Sequence, residues 1–259
     1  MDKAKANNRI NYLDIAKGLA MICIIAGHLG VRAIIRVVFT FHVPIFFLIS
    51  GYLINEKKEL LPFIKDRAKR LLIPYYITCL VIIIIDTISA IFNKYQNATL
   101  LYWIKASFYA AGSTHFKPFH IAPIGAIWFL WALFWSNLFL KLSLKMNKPF
   151  RLLFVIALFL FGYYTRNVVW LPLSIQPGAC GTLFMYVGYL VKTYKNKTNN
   201  LPKITIPLFS LIALITTILF IKNFTTFSLV KCEIGRGVID IFGSICASWI
   251  VILIARFIV

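Results

Sequence analysis

Long apolar blocks limit what this chain can fold into more than any other feature of its sequence. Each block holds roughly twenty residues, the length at which a helix rising 1.5 Å per residue crosses a bilayer core. Because lipid offers no partner to a backbone hydrogen-bonding group, a spanning block must be helical or belong to a closed barrel. Barrel strands alternate apolar and polar residues, and runs such as 81–85 do not alternate. The sequence therefore predicts an all-α polytopic membrane protein.

Polar residues are too few to cover a water-soluble globule. Apolar residues make up 60% of the 259 residues and charged residues 14%, against about 25% charged in a typical soluble domain. We expect one integral-membrane domain over residues 1–259, built as a bundle of about eight transmembrane helices. The chain ends at Val259, inside its last apolar block, which predicts a C-terminally short member of its class. The helices are predicted near 10–30, 34–54, 72–92, 122–140, 151–165, 172–191, 203–221 and 237–257.

Positive charge lies mainly in the short segments between the apolar blocks. The net charge of +20 first suggests nucleic acid as a partner, but lysine and arginine also collect in the cytoplasmic loops of membrane proteins. With the N-terminus in the cytoplasm, 18 of these residues fall inside and nine outside. We therefore expect no nucleic acid, and a cell-membrane protein with both termini in the cytoplasm. The same topology places a basic loop at 55–71 in the cytoplasm and a longer loop at 93–121 outside.

The five cysteines are scattered, with no CxxC pair and no histidine–cysteine cluster at zinc-binding spacing. Most of them lie in apolar blocks, where a free thiol behaves as a small hydrophobic group. We predict no metal ion and no permanently bound cofactor. We also expect no cleavable signal peptide, because the first apolar block contains Asp14 and Lys17 and no small-residue cleavage site follows it.

Three ionisable residues fall in the first apolar block, where a charge is costly and therefore indicates function. Asp14 and Lys17 are spaced i,i+3 and can pair. At about 100° per residue, His28 lies about 20° from Lys17 and about 40° from Asp14 around the helix. It also lies about 16.5 Å beyond Lys17 along the axis. The shared stripe indicates a functional face; the alternative is an ion pair at the cytoplasmic end and a histidine at the external interface.

His42 opens the second apolar block, in the sequence Phe41-His42-Val43-Pro44. The link after His28 is short, so we expect a tight antiparallel hairpin that brings His28 and His42 to one membrane level. Two imidazoles facing one cavity suit proton transfer, because imidazole accepts and releases protons near neutral pH. A lone His42 would instead be an interfacial residue. Two further charges, Asp86 and Asp240, fall in later blocks without an evident partner.

Several short motifs together resemble one family. Residues 12–20 read YLDIAKGLA and lead to Gly27-His28, residues 41–47 read FHVPIFF, and residues 50–52 read SGY. The basic run 67–70 precedes Pro74-Tyr75-Tyr76, and a later motif reads Ile127-Trp128-Phe129-Leu130. The chain resembles the acyltransferase 3 family, and within it the fucose 4-O-acetylase-like membrane acetyltransferases. That family carries Arg or Lys, ten residues and then His in its first helix, as Lys17 and His28 do here.

The resemblance implies transfer of an acetyl group from acetyl-CoA to a hydroxyl of a cell-surface or lipid-linked carbohydrate. It implies His28 as general base, with His42 relaying the proton or binding the donor. Lys17, paired with Asp14, would hold a phosphate of the donor. The family usually has about ten membrane helices, whereas the hydropathy pattern here predicts eight. The remaining donor-binding positions implied are Arg67, Lys69, Arg70 and Trp128.

Two other functions remain open from the sequence. A transporter or flippase of a glycan precursor would use the same intramembrane charges, although the related halves typical of many transporters are not evident. A short, inactive member of the family could also act as a non-catalytic membrane partner. The basic residues at 55–71 have an alternative role too, since loop cations often only determine topology.

The charge distribution predicts the sidedness of two loops. Single cysteines introduced at Asn97 and at Lys195 should be labelled from opposite faces of the membrane by an impermeant thiol reagent, because the first position is predicted outside and the second inside. Labelling of both positions from one face would contradict the eight-helix topology.

Overall fold

The computed structural model describes residues 10–93, 100–197, 205–224 and 226–259, which are mostly α-helical. A two-stranded sheet and one 3-10 turn are the departures from helix and loop in this part of the chain. The helices are α1 (Asn11–Gly27), α2 (Arg32–Val38), α3 (Pro44–Tyr52), α4 (Leu60–Asn93), α5 (Leu100–Tyr109), α6 (Trp128–Ser143), α7 (Lys148–Thr165), α8 (Ile175–Lys197), α9 (Thr205–Lys222) and α10 (Val238–Ile258). The strands are β1 (Phe227–Ser228) and β2 (Glu233–Ile234), with the 3-10 turn at Leu229–Lys231 between them.

The all-α prediction is confirmed, and the helices have the surfaces that a lipid environment requires. In the described residues, three helices are long and apolar enough to cross a membrane: Leu60–Phe92, Lys148–Thr165 and Val238–Ile258. A shorter apolar helix runs from Pro207 to Lys222. Large aliphatic side chains on α4, such as Ile77 and Ile85, are exposed. Such surface is stable in hydrocarbon and not in water. The total of about eight spans stays a prediction.

The chain divides into two compact units. The first comprises 1–46, 199–227 and 235–259; the second comprises 47–198 and 228–234. In the first unit, α1 packs against α10, and α10 packs against α9. Leu13, Ala16 and Ala20 are buried on α1, at the three- and four-residue spacing that forms one helix face. The single domain expected over residues 1–259 stays a prediction.

One of the two isolated charges acquires a partner at the start of α10. The Asp240 carboxylate is almost fully buried and lies 2.8 Å from the guanidinium of Arg236. The backbone amide of Arg236 also donates a hydrogen bond of 2.7 Å to Asp240. A buried carboxylate is tolerated when it is paired and hydrogen-bonded in this way. An acidic group in the first turn also suits the positive end of the helix dipole.

The core of the second unit is formed by α6 and α8, with α7 packed on α8 and α4 packed on α6. Two hydrogen bonds join α6 to the segment that leads into α8 and to α8 itself. The Ser136 hydroxyl donates to the Gly178 carbonyl at 2.6 Å, and the Trp135 indole donates to the Leu173 carbonyl at 3.0 Å. Hydrogen bonds and small residues of this kind hold helices together where lipid provides no hydrophobic drive between them.

Helices α3 and α8 touch backbone to backbone. A Cβ atom added to Gly51 would overlap the carbonyl group of Met185, and one added to Gly188 would overlap that of Leu48. Both positions therefore require a residue without a side chain. Close approach at small residues is a common way for membrane helices to pack.

The prediction of one helix over 34–54 is wrong, because this segment forms two helices. Helix α2 ends at Val38 and α3 begins at Pro44, with turns between them. A proline disfavours helical geometry at the residue before it, here Val43, but is well suited to the first position of a helix. The link between His28 and His42 therefore contains a short helix, and the simple tight hairpin expected there is also wrong.

Both predicted loops contain helix. The segment 55–71 is helical from Leu60 onward, because α4 continues from the apolar block into the basic run. The segment 93–121 contains α5, whose Ser107 carbonyl accepts a hydrogen bond of 2.6 Å from the Tyr75 hydroxyl on α4. Asn97, the proposed outer labelling position, lies outside the described residues. Hydropathy detects the membrane core of a helix and does not show how far the helix extends beyond it.

The contact between α3 and α8 predicts a specific packing defect. Gly51→Ala should destabilise the protein by about 1–3 kcal/mol, because the new methyl group must push two backbones apart. The midpoint of thermal unfolding in detergent should fall accordingly. Gly18→Ala is the matched control, since nothing lies within 4 Å of its added Cβ and alanine favours helix by up to about 1 kcal/mol. Equal midpoints for the two variants would contradict the close approach.

Candidate functional site

The ion pair predicted on α1 is present. The Lys17 ammonium lies 2.7 Å from the Asp14 carboxylate, one helical turn away, and both side chains are about one-third exposed. Exposure at this level leaves the pair accessible to a ligand and limits what it contributes to stability. The pair therefore places one cation on the accessible side of α1.

His28 and His42 are brought near one another around the ring of Phe39. His28 directly follows α1 in right-handed helical geometry and is exposed. Its ring centroid lies 6.5 Å from that of Phe39, and the Phe39 centroid lies 4.8 Å from that of His42. Both histidines contact the same aromatic side chain. The two predicted proton-transfer residues thus share one aromatic environment in the first unit.

The hydrogen bond of His42 defines which of its nitrogens is available. The Nδ1 atom lies 3.0 Å from the carbonyl oxygen of Val38. A carbonyl only accepts hydrogen bonds, so Nδ1 carries the hydrogen and donates it. In the neutral ring, Nε2 then holds the free lone pair. His42 is thereby oriented with one nitrogen fixed and the other able to accept a proton.

A cavity of about 160 Å³ lies beside the N-terminal part of α4 in the second unit. Three cations and a single carboxylate line it, so its surface carries net positive charge. The carboxylate, Asp66, pairs with Lys58 across the cavity wall. The lining side chains are Asn55, Lys58, Phe63, Asp66, Arg67 and Arg70.

Helical spacing explains which basic residues reach this cavity. Phe63, Arg67 and Arg70 recur at i, i+4 and i+7, which places them on one face of α4. The Arg67 guanidinium lies 5.2 Å from the centre of the Phe63 ring, within cation–π range. Lys69 is exposed and is not among the residues lining the cavity. The structure therefore brings together two of the three residues of the basic run that were predicted to bind the donor.

Two lysines hold the segment that carries Asn55 and Lys58. The Lys141 ammonium, on the buried side of α6, donates to the carbonyls of Asn55 at 3.1 Å and Glu56 at 2.8 Å. Lys192 on α8 donates to the carbonyl of Ile54 at 2.6 Å. Cations stabilise the carbonyl groups that are left without amide partners beyond the end of a helix. Here they fix the chain directly after α3.

A second layer of contacts surrounds these lysines. The Tyr189 hydroxyl donates to the Glu56 carboxylate at 3.2 Å, and Arg151 donates to the Tyr189 hydroxyl at 3.3 Å. Arg151 also donates to backbone carbonyls at the end of α6, at 3.3 Å to Ser143 and 3.2 Å to Leu144. Glu56 is thereby joined to helices α6, α7 and α8 through side chains. The cavity is built on a rigid frame.

Trp128, the remaining predicted donor-binding residue, lies at the other end of α6. It is buried at the first position of the helix, about 20 Å along the axis from Lys141. A Cβ added to Gly112 would overlap its indole ring, so a chain segment without a side chain packs directly on it. The structure does not place Trp128 with the cationic cavity.

Four residues that line the cavity were not predicted from the sequence: Asn55, Lys58, Phe63 and Asp66. Lys58 and Lys141 entered the prediction only through the charge count that sets the topology. A signal was present: the i, i+4, i+7 spacing of Phe63, Arg67 and Arg70 marks one helix face once the basic segment is treated as helix. Nothing in the sequence shows that Lys141 reaches a segment 85 residues earlier.

Comparison with known proteins identifies the family. A family model described as "Acyltransferase domain" matches residues 10–258. The chain belongs to this family. The resemblance to the acyltransferase 3 family is therefore confirmed, and it now covers the C-terminal helices as well as the N-terminal motifs. Together with the apolar helices, membership indicates a membrane-embedded protein.

Two curated relatives are both named Nodulation protein NolL. The protein from Sinorhizobium fredii (strain NBRC 101917 / NGR234) is 31% identical over 159 residues, which cover 56% of this chain and 39% of that protein. The protein from Mesorhizobium japonicum (strain LMG 29417 / CECT 9101 / MAFF 303099) is 28% identical over 160 residues, with the same coverage. The chain thus spans about two-fifths of the length of these relatives. No solved structure matches the chain.

The two carbonyl groups held by Lys141 predict a local loosening of the cavity wall. Lys141→Met keeps the length of the side chain but removes the ammonium that donates to both carbonyls, at about 1 kcal/mol for each hydrogen bond lost. Amide hydrogen exchange of a peptide covering 53–59 should accelerate. Lys145→Met is the control, because Lys145 is exposed one turn later. Unchanged exchange in the Lys141 variant would show that these hydrogen bonds do not hold the segment.

Proposed function

We propose that the chain transfers an acetyl group from acetyl-CoA to a hydroxyl of a cell-surface or lipid-linked carbohydrate. The observation that carries this proposal is the cationic cavity on α4 in a chain of the acyltransferase 3 family. An acyl-CoA donor is anionic through its phosphates. Arginines that share one helix face offer several N–H donors in a planar fork, which suits phosphate oxygens.

In this proposal the donor phosphates occupy the cavity at Arg67 and Arg70. Asn55 also lines the cavity, and the pairing of Lys58 with Asp66 leaves the two arginines as the available cations. Lys141 and Lys192 do not touch the donor; they are positioning residues for the segment after α3. Lys17, paired with Asp14, holds a further phosphate. Trp128 contacts the donor away from the phosphate site.

The reaction needs a base, because a sugar hydroxyl is a weak nucleophile. The hydroxyl proton passes to the imidazole of His28 as the sugar oxygen attacks the thioester carbonyl carbon. The carbon–sulfur bond then breaks, the acetyl group stays on the sugar as an ester, and the sulfur leaves with a proton as the free thiol of coenzyme A. His42, with Nδ1 bonded to Val38, offers Nε2 to relay that proton.

Transfer is direct in this scheme, within a complex that holds donor and acceptor together. No serine or cysteine is assigned as a nucleophile. The cytoplasm supplies acetyl-CoA to the basic end of α4, and the acceptor is reached from the outer side, as the charge distribution predicts. An acetylated protein trapped with donor alone would contradict direct transfer and would make His28 a nucleophile.

Removing the cavity arginines should weaken donor binding. Arg67→Gln combined with Arg70→Gln should raise the KM for acetyl-CoA about tenfold or more while kcat changes little, because the phosphates are bound equally in ground and transition states. Lys69→Gln is the matched control: it removes one charge from the same helix but lies outside the cavity. If the double variant is correctly inserted and keeps the wild-type donor KM, the basic run acts on topology alone.

Removing the base should slow the transfer step itself. His28→Ala should lower the transfer rate by about 10² to 10⁴, the usual contribution of general acid–base catalysis. Folding should be retained because His28 is exposed. Lys17→Arg should keep substantial activity, whereas Lys17→Met should lose it and remove the ion pair with Asp14. Rates are compared at equal amounts of protein in the membrane, and a wild-type rate for His28→Ala would exclude it as the base.

A further inference from the structure

A second pocket lies on the side of the second unit that carries α5 and the segment 110–122. Its walls are aromatic, and beside the two tyrosine hydroxyls lie the Lys105 ammonium and the His120 imidazole, which can also hydrogen-bond. Among the described residues no carboxylate pairs with Lys105. The aromatic side chains lining the pocket are Tyr102, Tyr109 and Phe119.

The segment that forms this pocket is held in place by backbone hydrogen bonds. His115 and Ile121 exchange two hydrogen bonds as an antiparallel bridge, at 3.1 and 2.8 Å. The amides of Leu173 and Ser174 donate to the carbonyls of Phe108 and Tyr109, each at 3.3 Å. A pocket on such a frame is formed before a ligand arrives, which lowers the entropic cost of binding.

His115 adds a side-chain anchor to the same frame. Its ring stacks on Trp170 with centroids 3.5 Å apart, and Nε2 lies 3.0 Å from the Ser113 hydroxyl. Burial, together with the positive charge of Lys231, lowers the pKa of His115 to about 4. The ring is therefore neutral at physiological pH and packs as an aromatic side chain. His115 supports the pocket and leaves His120 as the imidazole exposed in it.

The rings that line the pocket remain partly accessible. Phe119 is 48% exposed, and its ring centroid lies 5.5 Å from that of Tyr109 in an edge-to-face arrangement. Exposed aromatic side chains on a fixed segment provide rigid apolar contact area with little loss of conformational entropy. Hydroxyl, ammonium and imidazole groups beside them can fix the orientation of a polar ligand.

We infer that this pocket binds one sugar ring of the carbohydrate acceptor. The C–H face of a sugar ring packs on one of the two rings, Tyr109 or Phe119, and meets the other at its edge, while its hydroxyls bond to Lys105 and His120. A wholly apolar ligand would leave these two polar groups without partners, whereas a sugar satisfies both sides of the pocket. The inference rests on the proposed function and names the part of the protein that selects the acceptor.

Acceptor titration tests the inference. The gene is deleted, and the surface polysaccharide of that strain is purified, freed of esters with mild alkali and used as the acceptor with radiolabelled acetyl-CoA. Membranes carry the wild-type protein or a variant. Tyr109→Leu and Phe119→Leu should each raise the polysaccharide KM about tenfold, with the acetyl-CoA KM within about twofold, because only acceptor binding is lost.

Two controls separate binding from damage to the fold. Tyr109→Phe keeps the ring and should retain a polysaccharide KM near that of wild type. Phe108→Leu removes an exposed ring that lies on the same helix as Tyr109 but does not line the pocket. This variant should also keep the polysaccharide KM of wild type. KM does not depend on the amount of folded protein, so partial misfolding of a variant does not imitate the expected result.

Three results would count against the inference. An unchanged polysaccharide KM in both leucine variants overturns the pocket as an acceptor site while leaving the transfer reaction intact. A fall in kcat with the polysaccharide KM unchanged overturns it as well, because the rings would then act on the chemistry or the fold. Absence of transfer by the wild-type protein overturns the proposed function itself. This result differs from the first two, in which the wild-type protein still transfers the acetyl group.

Discussion

The backbone contact between α3 and α8 is the constraint on which the second unit depends. Gly51 and Gly188 let the two helices meet without intervening side chains, so the position of α8 along α3 is fixed by their backbones. That register carries Lys192 to the carbonyl of Ile54, directly after α3 ends. The segment with Asn55 is then held from α8 on one side and from α6, through Lys141, on the other. The cationic cavity follows from this packing.

The positive charges of the chain serve at least two physical purposes. Lys141, Lys192 and Arg151 satisfy backbone carbonyls and carry out a structural task that neutral side chains of the same length could not perform. Arg67 and Arg70 have no such carbonyl partners among the described residues and face a cavity. A charge that is unused by the fold, accessible and grouped with others of its sign is the better candidate for binding an anion. A net-charge count does not make that distinction.

Local spacing predicted much of the architecture from the sequence. The i,i+3 rule gave the Asp14–Lys17 pair, and the apolar blocks gave most of the long helices with ends close to those observed. Pro44 indicates the break at 39–43. The prediction of one continuous helix gave more weight to the apolar residues on both sides of that break. The helix over 60–71 was not predicted, because the N-terminal part of α4 is polar and a hydropathy pattern detects only the apolar part.

Contacts between distant segments could not be predicted. A local pair is different: Arg236 lies four residues before Asp240, so this ion pair could have been predicted from spacing alone. The bonds from Lys141 to residues 85 and 86 positions earlier depend on how α6 packs, and no local pattern encodes this. The pocket at Tyr109 and Phe119 is of the same kind, because the bridge between His115 and Ile121 and the bonds to 173–174 create it.

The central claim is that this chain moves an acetyl group to a carbohydrate hydroxyl. The most direct test uses the purified 259-residue protein in lipid nanodiscs, acetyl-CoA labelled in the acetyl carbonyl, and alkali-treated surface polysaccharide or lipid-linked carbohydrate. The account predicts that label enters one of these carbohydrates as a base-labile ester, with one free coenzyme A thiol released for each ester formed. If both carbohydrates stay unlabelled, whether or not acetyl-CoA is consumed, the account is contradicted.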